Sequence, residues 1–138
     1  MKKFKSILLV DDDDATNYLH ELYIKEWDCA DKVYKASNGQ EAIDFLNTNE
    51  YFRQERPSLI LLDINMPIMN GFEFMEAYQN IAPELKASLV VVLLTSSLHS
   101  MDQERASNLK DLSNFINKPL SKERMEEISE QLEEMNIA

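Results

Sequence analysis

Leu59-Ile-Leu-Leu-Asp63-Ile-Asn-Met-Pro-Ile-Met-Asn-Gly71 lies near the middle of the chain and carries its clearest pattern. Four apolar residues run into one aspartate, and a turn follows at once. An unbroken apolar run of this length fits a strand buried on both faces. Pro67 stops the strand from continuing, and Asn70-Gly71 is a strong turn signal. Asp63 therefore stands where a central strand ends and a loop begins. A lone carboxylate there is either a cap for the turn or a reactive group, and the rest of the chain decides between them.

Working outward, the apolar run recurs. Ile7-Leu-Leu-Val10 precedes four aspartates, Asp11 to Asp14. The next segment carries Ala15, Leu19, Leu22, Tyr23 and Glu26 at helical spacing, which predicts an amphipathic helix with Asp13 or Asp14 as its N-cap. Capping accounts for at most two of the four aspartates and leaves Asp11 and Asp12 over. Lys32–Ala36 reads as a short, more exposed strand. Asn38 and Glu41 are spaced as a capping box, and Ala42, Ile43 and Leu46 form the buried stripe of the helix they open. The stretch from Thr48 to Ser58 reads as a long helix end and loop.

Beyond Gly71, the residues Phe72, Met75, Tyr78 and Gln79 mark a helix that ends before Pro83. Leu89-Val-Val-Val-Leu-Leu94 is the most apolar run in the chain and leads into Thr95-Ser96-Ser97. A polar helix is expected at about Met101 to Leu109. Asn114–Asn117 is a short strand ending at Lys118-Pro119. Ser121 caps a last helix with Met125, Ile128, Leu132 and Met135 on one face. Strand and helix alternate five times, which predicts parallel strands joined by right-handed crossovers. The fold class is α/β: a flavodoxin-like, doubly wound, five-stranded parallel sheet of order 2-1-3-4-5 with five helices.

In such a sheet, ligands bind beyond the carboxyl ends of the strands. Asp11 and Asp12 follow the first strand, Asp63 ends the third, Thr95 follows the fourth and Lys118 the fifth. Three clustered carboxylates call for a cation. Oxygen-only ligands select a hard ion, Mg2+ first and Mn2+ in its place. A lysine and a hydroxyl beside them suit the oxygens of a phosphoryl group, and a carboxylate can itself accept that group. The reading is an Mg2+-dependent aspartyl-phosphate site on Asp63.

Composition narrows the partners. The 138 residues suit one domain, and the formal net charge of −11 opposes nucleic-acid binding. No apolar run approaches the roughly 18 residues of a membrane span, so a cytoplasmic protein is expected. A single cysteine, Cys29, excludes an internal disulfide and is expected to pack as a small buried residue. His20 and His99 have no partner at metal spacing and are expected at the surface or at helix ends.

Four marks together resemble the receiver domain of two-component response regulators: Leu9-Val-Asp-Asp12, Leu62-Asp-Ile-Asn-Met-Pro67 with Gly71, Leu94-Thr95-Ser96, and Phe115-Ile-Asn-Lys-Pro119. The resemblance runs from Lys5 to about Met135, and beside the shortest members of that family it implies an extension around Tyr51–Arg56. It implies that Asp63 accepts a phosphoryl group from a phosphohistidine on a histidine kinase or histidine phosphotransfer protein. By the same resemblance, Asp12 binds Mg2+ directly, Asp11 binds it through water, and the main-chain carbonyl of Asn65 adds a ligand. Lys118 would pair with the phosphate, and Thr95 would swing to bond a phosphoryl oxygen. Phe115 would then move inward, changing the surface formed by the fourth helix, fifth strand and fifth helix.

Residues 1–138 are expected to be a single receiver domain with no output domain, monomeric, and acting on a downstream protein target. Such a protein is a switch that promotes its own phosphorylation and slow dephosphorylation, not a metabolic enzyme. The rivals are a degenerate receiver that only binds, an aspartate-nucleophile phosphatase, and a flavodoxin-like electron carrier. The phosphatase needs an acid two residues past its nucleophile, where this chain has Asn65. The electron carrier needs a glycine- and hydroxyl-rich loop where this chain has four aspartates.

Overall fold

The computed structural model describes residues 4–48, 57–83, 86–87, 89–94, 114–117 and 120–137, with the side chains of 48, 89–94, 114, 115, 117 and 135–137 outside the description. Five strands, β1 (Phe4–Val10), β2 (Ala30–Ala36), β3 (Leu59–Asp63), β4 (Leu89–Leu94) and β5 (Asn114–Asn117), form one sheet in the order β2-β1-β3-β4-β5. Every neighbouring pair runs parallel. The described helices are α1 (Asp14–Glu26), α2 (Gly39–Thr48), α3 (Gly71–Tyr78) and α4 (Lys122–Ile137). The helix expected at about Met101 to Leu109 lies outside the described residues, as does the extension around Tyr51–Arg56.

Alternation along the inner strands explains why the sheet must be covered on both sides. Leu8 and Val10 of β1 and Ile60 and Leu62 of β3 point into one core with α2 and α3, through Ala42, Leu46, Phe74 and Tyr78. Ile7 and Leu9, with Leu59 and Leu61, point into a second core, where they meet Ile24, Met125 and Ile128. Successive side chains on a strand face opposite ways. A strand apolar at every position therefore needs two cores. β2 lies at the sheet edge, begins two residues earlier than expected, and carries exposed Asp31, Lys32 and Lys35. Charges there discourage pairing with another chain.

The helix starts are chemically explicit. Asp13 caps α1, its Oδ1 accepting from the Ala15 amide at 3.2 Å and its Oδ2 from the Thr16 hydroxyl at 2.7 Å. Asn38 Oδ1 accepts from the Glu41 amide at 2.9 Å, and Glu41 reaches back to the Ser37 amide at 3.2 Å. Asn70 and Glu73 form a reciprocal capping box at α3, at 2.8 and 3.0 Å. Asn70, read from the sequence as a turn residue, is thus the N-cap of α3. Ser121 Oγ accepts from the Arg124 amide at 3.2 Å at the start of α4.

Two expectations for α1 are corrected. Of the predicted stripe of Ala15, Leu19, Leu22, Tyr23 and Glu26, Tyr23 packs against the core, while Ala15, Leu19, Leu22 and Glu26 are exposed. The inward stripe is Asn17, His20 and Ile24. His20 is therefore a buried mid-helix residue, its ring 6.5 Å from that of Tyr23, and not a surface one. The physical reason is polar. The Asn17 amide bonds two carbonyls at the strand ends, which fixes the helix rotation and turns the leucines outward. His99 lies outside the described residues.

Candidate functional site

Val10 of β1 pairs with Leu62 of β3, and the next residue after each is an aspartate, Asp11 just past β1 and Asp63 at the end of β3. Both are buried, at 2% and 6% exposure, while Asp12 is exposed. One carboxylate oxygen from each of Asp11, Asp12 and Asp63 lies within 4.8 Å of the others. At an effective dielectric of 20, two carboxylates that close repel by about 3 kcal/mol. Like charges held together at a strand end, two of them out of water, make a site fitted to a cation. The donor set is oxygen only, which suits a hard divalent ion.

Local chemistry holds the acids in place. The Asp13 amide donates to Asp11 Oδ1 at 3.0 Å, closing a tight turn over the end of β1. The Asp11 amide donates to the Ala36 carbonyl at 3.1 Å. Asn17 Nδ2 donates to the Asp11 carbonyl at 3.0 Å and to the Ala36 carbonyl at 3.3 Å. Among the described residues, the buried Asn17 Oδ1 has no hydrogen-bond partner. Nothing in the sequence marks Asn17, because a polar residue on a helix is ordinarily on the solvent side.

On the other flank, the loop after β3 wraps tightly around Asp63. The Gly71 amide donates to the Ile64 carbonyl at 2.8 Å, and a Cβ at Gly71 would lie 2.8 Å from the Asp63 carbonyl oxygen. Asn65 is exposed in this loop, two residues beyond Asp63. The Met69 amide donates to the Pro67 carbonyl at 2.7 Å, a three-residue turn centred on Ile68. Ile68 has φ of 69° and is 80% exposed. A β-branched residue is unfavourable in that left-handed region. Met66 is buried in the core beneath the loop, and Met69 packs against the same core. Met69 also meets α2, where its carbonyl accepts from the Gly39 amide at 3.3 Å.

Of the residues singled out in the sequence, the structure thus brings together Asp11, Asp12 and Asp63. Thr95 and Lys118 lie outside the described residues. Phe115 sits in β5 with its backbone opposite Val92, and its side chain is outside the description. Cys29 is buried, with its thiol pushed up to about 11 by burial, which leaves it a packing residue. Among the described residues, no helix is long and apolar enough to cross a membrane.

A parallel sheet wound on both faces, with an acid triad at the ends of β1 and β3, defines a flavodoxin-like fold with an acidic site at its strand ends. The sequence matches the response regulator receiver domain over residues 7–130, and the chain belongs to that family. Response regulator Rcp1 of Synechocystis is 37% identical over 127 residues, covering 81% of this chain and 84% of Rcp1. The chemotaxis protein CheY of Halobacterium salinarum is 31% identical over 119 residues, covering 86% of this chain and 88% of CheY. A crystal structure of a two-component response regulator from Cytophaga hutchinsonii superposes with a TM-score of 0.84 at 30% identity, covering 95% of this chain and 98% of that one.

Proposed function

We propose that this receiver is a phosphorylation-driven switch in which Asp63 accepts a phosphoryl group from a phosphohistidine on a histidine kinase or histidine phosphotransfer protein. The observation that carries the reading is the triad itself, with Asp63 held against Asp11 and Asp12 at adjoining strand ends. In the transfer, an Asp63 oxygen forms a P–O bond as the P–N bond of the donor breaks, and the imidazole nitrogen leaves with the electron pair and takes up a proton. Later attack by water returns the carboxylate and releases inorganic phosphate. Such transfer depends on positioning and charge neutralisation more than on covalent help from the protein.

Asp11, Asp12, Asp63 and the main-chain carbonyl of Asn65 would hold Mg2+, or Mn2+ in its place. A divalent ion there supplies positive charge to the phosphoryl oxygens and offsets the repulsion among the acids. Lys118 follows β5 and serves as a second positive charge for the phosphate. Thr95 follows β4 and donates a hydrogen bond to a phosphoryl oxygen. Phe115 reports that change to the face made by the segment around Met101–Leu109, β5 and α4. That face acts on a protein partner, and the protein works as a monomer without binding nucleic acid.

The test is phosphorylation by phosphoramidate, a small donor with the same P–N bond. Wild-type protein should gain one phosphoryl group with Mg2+ and none in EDTA. Equal modification in both would remove the ion from the account.

A further inference from the structure

We infer that Asn17 is a positioning residue of the acid triad, setting its affinity for a divalent cation by fixing the peptide between Asp11 and Asp12. The inference rests on the metal-binding reading above. Asn17 lies within the buried stripe of α1, at 4% exposure, where an apolar side chain would ordinarily pack. Among the described residues its Oδ1 has no partner, so the amide is not kept there for its acceptor. Its Nδ2 is what the fold uses, bonding the Asp11 carbonyl at 3.0 Å and the Ala36 carbonyl at 3.3 Å.

The first of those bonds is the informative one. The Asp11 carbonyl and the Asp12 amide belong to one planar unit. Fixing its oxygen fixes the plane from which both side chains depart. Asp11 has further restraints, through its amide to Ala36 and its carboxylate to the Asp13 amide. Among the described residues, no hydrogen bond holds the exposed Asp12 side chain, so its direction depends on that plane. The second bond ties the same amide to the end of β2. Asn17 thus pins α1, β1 and β2 together at the point where the acids emerge. Its own α-helical position is secured by its amide, which donates to the Asp13 carbonyl at 3.1 Å.

The experiment titrates Mg2+ into the full chain by calorimetry, with thermal melting run in EDTA on the same samples. Asn17→Leu removes both donors at similar volume, and Asn17→Ser, a smaller change, stands in where the leucine variant does not fold. Ile24→Val, on the same buried stripe, is the packing control. Loss of an outer residue that orients ligands weakens metal binding about tenfold or more, and that loss is expected for the Asn17 variants. Ile24→Val should lower the melting temperature and leave Mg2+ affinity at the wild-type value. Wild-type binding with unchanged affinity in a folded Asn17 variant overturns the inference alone. So does an affinity loss in Ile24→Val as large as theirs, because packing would then explain both. Wild-type protein that takes up no Mg2+ overturns the metal reading, and the inference falls with it.

Discussion

Gly71 approaches Asp63 so closely that a Cβ would fall 2.8 Å from the Asp63 carbonyl oxygen and 2.8 Å from the Ile64 Cα. Both neighbours are backbone atoms and cannot swing aside. Gly71→Ala should therefore push the loop away from the strand end, at a cost of about 1–3 kcal/mol. The same shift moves Asp63, so phosphorylation by a small donor should slow as well. Chemical denaturation and donor kinetics on the variant check the two effects. Wild-type stability would show that the loop yields without resistance.

Crowded acids give a prediction of opposite sign for stability and binding. Asp12→Asn removes one charge from the cluster formed with Asp11 and Asp63. In EDTA the variant should melt higher than wild type, by about 2 °C for a chain of this size. Added Mg2+ should raise the melting temperature of wild type much more than that of the variant, because only a ligand that binds the native state stabilises it. Melting curves across a Mg2+ series decide the matter. A variant less stable than wild type in EDTA would argue against repulsion in the cluster.

Ile68 occupies the left-handed region, at φ of 69°, on an exposed loop tip. Asparagine tolerates that conformation far better than a β-branched residue. Ile68→Asn should stabilise the fold by about 1 kcal/mol, equivalent to a rise of about 3 °C in melting temperature. Calorimetry on the two proteins checks this. A lower melting temperature would mean that the isoleucine side chain makes a contact worth more than the backbone strain.

Burial holds the Cys29 thiol protonated up to about pH 11, against an ordinary value near 9.0. Below the ordinary value, both folded and unfolded chains carry the proton and the thiol adds no pH dependence. Between about pH 9 and 11 the unfolded chain loses the proton first, so stability falls as pH rises. Denaturant titrations across that window should show a shallower decline for Cys29→Ala than for wild type. Parallel slopes would place the alkaline sensitivity elsewhere.

Much of the molecule was legible in its residue order, and the exceptions share a cause. Ile7–Val10 and Leu59–Leu62 announce inner strands because they are apolar on both faces, and Asp63 stands out by ending one of them. Capping chemistry was equally plain at Asn38 and Ser121, and at α1 it left Asp13 and Asp14 open, of which the structure uses Asp13. The buried face of α1 was not, because Asn17 and His20 fill two of its inward positions. Hydrophobic periodicity reads a polar residue as outward, and only the strand-end carbonyls that Asn17 bonds reveal otherwise. Ile68 was missed for a related reason. Residue type argues against a left-handed isoleucine, and only the turn closed by Met69 and Pro67 imposes it.

Intact mass of the protein reports whether Asp63 is the phosphoryl acceptor. Wild-type chain and Asp63→Asn are incubated with acetyl phosphate and Mg2+ and weighed without prior acid or base treatment. Wild type should gain one phosphoryl group and the variant none. An unmodified wild type, or a variant modified to the same extent, would contradict it.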